Sequence, residues 1–344
     1  MRPWIKQAVL KVKGGLRGLP LRMRYYIARI KDKVTGKTLL EKGTLRTFEI
    51  MIHDMEKVDG LYKPSLFWKD IYKHFIRLMY TEGIQNFKVQ RYNRCFAGFY
   101  PTDPIIYKCL LWSYYNNLKQ KDSLNLLNSL EEPEFGGGGD VYLIEDKKIT
   151  LDLLQSIDEF YRIYSYFDQI KNKNLVVAEL GAGYGRLAYI FLKALKNVTY
   201  VIVDLPGGLI FSEYYLSNLF PDKKIMSYES SKKYQMFNRE IMQEFNIVFL
   251  GPWQLQQIAS KSIDIFSNIY SFQEMKLEHI QNYFSLIDKK CNGIFYTKQS
   301  INIKNQWDGI DANFPYPIKK NWKELYFNKS PLMQHVFEAV YKID

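Results

Sequence analysis

One short stretch, residues 174–186, constrains the fold more than any other part of the chain. An apolar run ends in the acidic residue Glu179, and a Gly-x-Gly-x-Gly turn of Gly181, Gly183 and Gly185 follows before a helix-forming segment. A strand, a tight glycine turn and a helix N-terminus are the parts of a nucleotide-type cofactor site. Glycine suits the turn because it adopts positive φ and lets a ligand approach the backbone closely.

The spacing of the glycines indicates which cofactor the turn suits. A dinucleotide fingerprint is Gly-x-Gly-x-x-Gly, whereas position 186 is arginine in this chain. Glu-x-Gly-x-Gly-x-Gly instead resembles motif I of the Rossmann-like S-adenosylmethionine (SAM) methyltransferases. The resemblance implies that the backbone of Gly181, Ala182 and Gly183 lies under the methionine part of SAM, with Gly185 completing the turn.

Apolar segments and helix-forming segments alternate from residue 175 onward. Such alternation predicts an α/β fold in which helices cover both faces of a parallel sheet. The resemblance makes this a Rossmann-like methyltransferase sheet, mostly parallel and seven-stranded, with one antiparallel strand. The expected strands are 175–180, 199–203, 246–250, 263–269, 293–297 and 335–341, and the expected helices are about 185–196, 208–219 and 276–287.

Three parts are expected along the chain: a basic arm at 1–42, a helical N-terminal region at 43–140 and the methyltransferase domain at 141–344. Four consecutive glycines at 136–139 mark the second boundary, because glycine is costly inside a helix or strand. The segment around them, residues 131–140, is either a plain linker or a loop that closes over substrate. A helix is expected to begin near Thr150.

Positive charge is concentrated in the basic arm. Residues 1–42 hold twelve Lys or Arg and two acidic residues, so their net charge is +10, whereas the whole chain carries +12. Apolar residues recur there at helical spacing, which favours a short basic amphipathic helix. We expect the arm either to dock on anionic lipids or an acidic partner, or to be a solvated face packed on the next domain or a disordered arm.

Composition argues against several classes of protein. Hydrophobic residues make up 47% of the 344 residues, which is enough for a large core. Cys95, Cys109 and Cys291 have no disulfide or metal spacing, and no apolar run reaches the roughly 18 residues of a membrane span. We therefore expect a cytoplasmic protein, with peripheral contact at the inner membrane face as a further hypothesis for the arm.

Two acidic residues are the first candidates for cofactor binding. Asp204 closes the second expected strand, 25 residues after Glu179, close to the offset expected for a carboxylate that accepts both ribose hydroxyls. The alternative role of Asp204 is to cap the following helix. Glu179 is expected to hold the charged amino end of the ligand or to fix the loop, and Leu205 belongs to the same predicted site.

Three further residues complete the predicted cofactor site. Pro252 and Trp253 follow the third expected strand, where adenine lies in this fold, and Trp253 either stacks on adenine or is a core aromatic. Asn268 lies near the end of the fourth strand. Ligands of doubly wound sheets bind at such carboxyl ends of strands.

Catalytic groups are expected just after the fourth strand. Glu274 and His279 are the candidates for a general base that removes the proton of an acceptor hydroxyl. Glu274 alternatively serves as an acid at a helix N-terminus, and His279 as a surface residue of that helix. Weaker candidates are Asp308, Asp311 and His335; such carboxylates could bind Mg²⁺, but their spacing gives no metal signature.

The segments around the glycine turn, Asp204-Leu205-Pro206 and residues 271–275 together resemble the sugar O-methyltransferases of bacterial surface-polysaccharide gene clusters, over roughly residues 130–344. The resemblance implies SAM-dependent O-methylation of a sugar in a surface glycan or its precursor. Methylation of another small molecule or of RNA is one alternative, and a non-catalytic scaffold in glycan assembly is another. Nucleic acid is the less favoured partner, because the chain lacks a recognisable nucleic-acid-binding module and a base-methylase signature.

Overall fold

The computed structural model describes most of the chain beyond its N-terminal arm. The described residues are 42–69, 71, 72, 75, 79, 83–85, 87, 88, 103–137, 141–301, 303–305, 310–312 and 316–344. Apart from Lys42, the predicted basic arm lies outside them, so its role stays a prediction. Among these residues, no helix is long and apolar enough to cross a bilayer.

An eight-stranded sheet forms the centre of the molecule. Its order is β5-β6-β4-β3-β7-β8-β12-β11, and only β12 runs against the other strands. Two hairpins, β1–β2 and β9–β10, lie outside it. The strands are β1 Tyr142–Ile144, β2 Lys147–Ile149, β3 Leu175–Leu180, β4 Val198–Val203, β5 Ile225–Met226, β6 Ile247–Leu250, β7 Ile263–Ile269, β8 Cys291–Ser300, β9 Ile303–Asn305, β10 Ile310–Ala312, β11 Lys323–Lys329 and β12 Val336–Ile343.

The sheet confirms the predicted class and corrects the predicted strand count. The six strands placed from the sequence are present, and the last of them, β12, is antiparallel to its neighbour β8 as expected. The prediction of seven strands was wrong, because the sheet has eight. The prediction gave no position to β5 and β11: β5 is only two residues long, and β11 is largely exposed and therefore lacks an apolar run.

Nine α-helices are found in the described part of the chain. Their bounds are α1 Lys42–Lys57, α2 Pro104–Lys119, α3 Leu126–Ser129, α4 Leu151–Tyr164, α5 Arg186–Ala194, α6 Pro206–Leu219, α7 Tyr228–Ser231, α8 Arg239–Gln243 and α9 Leu277–Lys290. Thr150 caps α4 by accepting the Leu153 amide, so the helix begins where the sequence predicted. Ten of the fourteen residues of α4 are buried, because this helix packs between α2 and α5.

The N-terminal region shares one hydrophobic core with the sheet. Buried residues from Phe48 in α1 to Ile343 in β12 form a continuous cluster. Glu132, in the segment predicted as a linker or closing loop, is buried and pairs with Lys88 at 2.5 Å. The described part of that segment is therefore packed against the protein, and Gly138 to Asp140 lie outside the described residues.

The strand order reverses between β3 and β7. From β3 the chain moves outward through β4 and β6, and it returns to the other side of β3 with β7 and β8. Loops that leave the two central strands diverge at such a switch point and leave a crevice at the carboxyl edge of the sheet. The glycine turn follows β3 at this edge, and residues 270–275 follow β7 there.

A buried ionic network fixes the helix that follows the glycine turn. Arg186, the first residue of α5, contacts Glu159 at 2.7 Å and donates to Ser156 at 2.8 Å. Lys298 on β8 lies 3.1 Å from Glu159 and 3.4 Å from Glu338, and all three side chains are fully buried. The network therefore ties α4, α5, β8 and β12 together beneath the switch point.

Lys298→Met should destabilise the protein, because it leaves two buried carboxylates with fewer cationic partners. We expect a loss of about 3 kcal/mol in the free energy of unfolding, at the low end for a broken buried ion pair because arginines still contact both carboxylates. Urea denaturation measures it. Lys119→Met removes an exposed pair with Glu145 and should leave stability nearly unchanged, because solvent screens exposed ion pairs. Equal losses in the free energy of unfolding of the two variants would contradict a stabilising role for the buried ionic network around Lys298.

Candidate functional site at the switch point

The glycine turn adopts a conformation that side chains disfavour. Gly181, Gly183 and Gly185 have φ values of +75°, +59° and +85°. A Cβ at position 181 would lie 2.2 Å from the Ser271 hydroxyl oxygen, so the loops after β3 and β7 touch there. Gly185 directly precedes α5, whose first amides point back toward the turn. The sequence therefore requires glycine for both shape and space, and Ala182 fills the buried position between them.

Asp204 holds the glycine turn from the end of β4. One carboxylate oxygen accepts the Gly183 amide at 2.7 Å, and the other accepts the Leu205 amide at 2.7 Å. Burial raises the pKa of Asp204 to about 7, and the two backbone hydrogen bonds oppose this shift. The side chain is only half-buried, and each oxygen keeps a further lone pair. The carboxylate can thus hold the turn and still accept a ligand hydroxyl.

Glu179 lies beneath the turn rather than on its surface. It is 3% exposed and accepts the Tyr200 hydroxyl at 2.7 Å. Burial raises the pKa of Glu179 to about 7, which the Tyr200 hydrogen bond and the charge of Arg186 oppose. Of its two predicted roles, this position suits fixing the loop better than direct contact with a ligand.

Asn268 joins the two loops of the switch point. Its amide nitrogen donates to the Leu180 carbonyl at 2.8 Å, and its oxygen accepts the Phe272 amide at 3.0 Å. The Gln299 amide also donates to that oxygen at 2.7 Å, and Asn268 is fully buried. These contacts give Asn268 a positioning role, because they set where the glycine turn and the following segment lie; its predicted contact with the cofactor stays a prediction.

Glu274 is the predicted catalytic residue that lies at this edge. Its carboxylate accepts the Trp68 indole N–H at 2.9 Å. Burial raises the pKa of Glu274 to about 8; the Trp68 hydrogen bond lowers it, and the negative charge of Asp204 raises it further. Two carboxyl groups with raised pKa values thus lie close enough to interact at the carboxyl edge of the sheet. Such perturbed groups in a cleft are characteristic of functional sites.

Aromatic residues of the N-terminal region and α9 complete the site. Tyr72 accepts the Gly207 amide on its hydroxyl at 2.7 Å, next to Asp204. Tyr62 packs edge-to-face against Tyr283 at 6.2 Å between ring centroids. Burial raises the pKa of Tyr72 and Tyr283, and the charge of Asp204 adds to both shifts. No motif in the sequence predicted a role for these tyrosines or for Trp68; the available signal was an aromatic residue at 68 and at 72, one helical turn apart.

The residues predicted beside adenine lie after β6 but are largely buried. Pro252 is buried, and Trp253 is 7% exposed. The Trp253 ring packs edge-to-face on Tyr228 and fills the space that a side chain at Gly251 would need. Leu205 is half-buried beside Asp204. The core role of Trp253 is thus accounted for, and stacking on a base stays a prediction.

The second predicted base, His279, lies in the helix that follows the Glu274 segment. His279 is buried in the first turn of α9, and its ring nitrogen Nε2 lies 3.6 Å from the Glu278 carboxylate. The prediction that it is a surface residue was therefore wrong, while a catalytic role stays a prediction. His335 is exposed before β12, Asp308 lies outside the described residues, and Asp311 is on β10. Within the described ranges, no three His, Cys, Asp or Glu residues group as metal ligands.

Comparisons with known proteins show a resemblance in fold alone. No protein-family model and no curated protein matches the chain. Among solved structures, a SAM-dependent methyltransferase from Aquifex aeolicus is 10% identical; the match covers 64% of this chain and 99% of that one, with a TM-score of 0.36. A TehB-like SAM-dependent methyltransferase from Corynebacterium glutamicum is 11% identical over 68% of this chain and 99% of its own, with a TM-score of 0.34. The assignment of a Rossmann-like α/β fold rests on the strand order itself.

Gly181→Ala should destabilise the protein, because alanine resists φ of +75° and its Cβ would overlap Ser271. We expect the free energy of unfolding, measured by thermal denaturation, to fall by about 1–3 kcal/mol or more. Gly43→Ala, in α1 with open space around it, is the matched control and should be neutral or stabilising by about 0.5–1 kcal/mol. Ser271→Gly should recover part of the loss at position 181, whereas wild-type stability of Gly181→Ala alone would refute the contact.

Glu274→Gln should become more stable than the wild type as pH rises from 5 to 8. Because the folded-state pKa of Glu274 is raised to about 8, its protonated form stabilises the fold fully below about pH 4.5, and this contribution is lost as pH rises toward 8. Glutamine stays neutral and still accepts the Trp68 N–H. We expect a relative gain of about 1–3 kcal/mol, discounted for partial exposure.

The gain is measured by urea denaturation at pH 5, 6, 7 and 8. Glu278→Gln, which removes an exposed carboxylate four residues away, is the control for the loss of one negative charge. A stability difference between Glu274→Gln and the wild type that stays constant over this range would contradict the raised pKa.

Proposed function

We propose that the protein is a SAM-dependent O-methyltransferase that methylates a sugar hydroxyl of a bacterial surface glycan or its precursor. The observation that carries the proposal is the placement of Glu274, held by Trp68, at the same edge of the sheet as Asp204 and the glycine turn. This placement puts a candidate base on one side of a candidate cofactor site. It is the arrangement that methyl transfer to a hydroxyl requires.

The residues at the switch point have the chemistry to hold SAM. The backbone of Gly181 to Gly183 forms an open turn at the carboxyl edge, and Asp204 has free lone pairs for ribose hydroxyls. A bound ligand with positive charge would also relieve the cost of ionising Asp204 and Glu274 together. When bound, SAM supplies a methyl group on a sulfonium, which an oxygen nucleophile can attack.

The task of Glu274 is to hold or remove a proton. An acceptor hydroxyl attacks poorly until its proton is taken, and a base whose pKa lies near the working pH does this best. Burial places the pKa of Glu274 at about 8, and the Trp68 indole fixes the orientation of its carboxylate. The rate of transfer should therefore increase as pH rises through the pKa of Glu274.

The nature of the acceptor rests on the resemblance to sugar O-methyltransferases and on the surroundings of Glu274. The half-buried Trp68 places an aromatic ring beside the Glu274 carboxylate. Such residues suit ligands that combine apolar and hydrogen-bonding surfaces, as sugar rings do. A cytoplasmic location, with residues 1–42 in contact with the membrane surface, belongs to the same proposal.

Binding and transfer should separate in two variants. Asp204→Ala should weaken SAM binding about 10-fold or more, since each 1.4 kcal/mol is tenfold in Kd. Glu274→Gln should keep affinity for S-adenosylhomocysteine, which lacks the sulfonium charge, and lose transfer of radiolabelled methyl groups to glycan precursors. Titration calorimetry gives the first result, and a filter assay gives the second.

Asp222→Asn, at an exposed position beyond α6, is the control and should leave both quantities unchanged. No SAM binding by the folded wild type would refute the enzyme and favour a scaffold. Wild-type transfer by Glu274→Gln would remove Glu274 from the reaction, and label found only in RNA or in a small metabolite would replace the sugar acceptor.

A further inference from the structure

A surface groove lies between α2 and the turn that precedes β12. Its volume is about 400 Å³, and its aliphatic lining comes from Ile106, Leu110, Leu332 and Met333. Residues 332–335 lead into β12, whose first residue pairs with the last residue of β8. The groove therefore opens at the carboxyl edge of the parallel strands, the edge that also carries the switch point.

Met333 connects the groove to the end of β7. Its sulfur lies 3.8 Å from the Tyr270 hydroxyl and 3.5 Å from the Gln155 side-chain amide. Tyr270 directly follows β7 and precedes Ser271, the residue that contacts Gly181. One residue of the groove lining is thus in contact with the segment that packs on the glycine turn.

The backbone of Tyr270 is held in a conformation that bulky residues rarely adopt. Its φ is +55°, and its amide donates to the Lys298 carbonyl at 2.8 Å. Strain of this kind persists only where the surroundings enforce it, and it clusters at functional sites. Here the residue with the enforced backbone places its hydroxyl 3.8 Å from the Met333 sulfur.

The lining indicates what the groove can bind. The described lining residues include no Asp, Glu, Lys or Arg; the polar ones are Ser113, Gln334 and His335. Outside the groove, α2 exposes Ile105 at 74% and Trp112 at 40%, so the apolar surface continues along the helix. A groove of this size, with an aliphatic lining and no Asp, Glu, Lys or Arg among its described residues, suits a hydrocarbon chain better than a charged group.

We propose that this groove is a subsite for the hydrocarbon chain of an amphipathic acceptor, and that Tyr270 and Met333 direct the attached head group toward the glycine turn. This deepens the proposed function, because it adds a lipid portion to the acceptor whose sugar hydroxyl is methylated. Tyr270 then lies between the bound hydrocarbon chain and the head group of the acceptor, and it determines specificity for acceptors that have both.

Cys109 provides a direct test, because this exposed thiol lines the groove. The probes are n-octyl β-glucoside, used below its micelle concentration, and methyl β-glucoside, which lacks the chain. The measurement is the rate at which iodoacetamide alkylates Cys109 in the full chain, followed by mass spectrometry of its peptide. Octyl glucoside should slow alkylation at least threefold, and methyl glucoside should leave the rate unchanged.

Ser113→Trp and Ser113→Leu fill the groove from α2 and should abolish the effect of octyl glucoside. Asn116→Trp, on the exposed face of the same helix but outside the groove, should keep it. Cys291 is buried, so its alkylation reports any variant that unfolds.

Three results would overturn the subsite: no protection of Cys109 in the wild type, equal protection by both glucosides, or full protection in folded Ser113 variants. None of these results depends on SAM. Failure of the subsite and failure of the proposed function, which calorimetry detects, are therefore distinguishable.

Discussion

The geometry of the site depends on one buried side-chain amide, that of Asn268. Asn268 donates to the carbonyl that ends β3 and accepts the amide of Phe272 in the segment after β7, while Gln299 holds its oxygen. Strands of a doubly wound sheet send their loops apart at the switch point, so a crossing contact is needed to bring the glycine turn and the Glu274 segment together. Close approach of Gly181 to Ser271 follows from that link. Gly181 and Asn268 therefore both serve to bring the loops after β3 and β7 together.

Charge at the crevice is the second organising constraint. Burial raises the pKa values of Glu179, Asp204 and Glu274 to about 7, 7 and 8, so the site holds carboxyl groups that resist ionisation. Asp204 is stabilised by two backbone amides and Glu274 by one indole N–H, which leaves both with capacity for a ligand. A cationic ligand would favour the ionised forms of both groups. Under the proposed function, cofactor binding therefore prepares the base.

Features that depend on the local sequence could be predicted, whereas contacts between residues far apart in the chain could not. Strands β3, β4, β6, β7, β8 and β12 were predictable because each is an apolar run, and Thr150 marked the start of α4. The two-residue strand β5 and the exposed strand β11 carry no such run. Asp204 could be found from its offset to Glu179, whereas the contact of Trp68 with Glu274 spans 206 positions and depends on how the N-terminal region packs on the sheet. Burial of Asn268 and His279 likewise follows from packing, which periodicity does not reveal.

The central claim is that the switch-point crevice holds SAM, with its ribose on Asp204. The most direct measurement is a crystal structure of the protein with S-adenosylhomocysteine. We expect the amino-acid portion of the ligand to lie over the Gly181–Gly183 backbone. Its ribose hydroxyls should lie within hydrogen-bonding distance of the Asp204 carboxylate. Ligand bound elsewhere, or an Asp204 carboxylate that contacts only its two backbone amides in the complex, would contradict it.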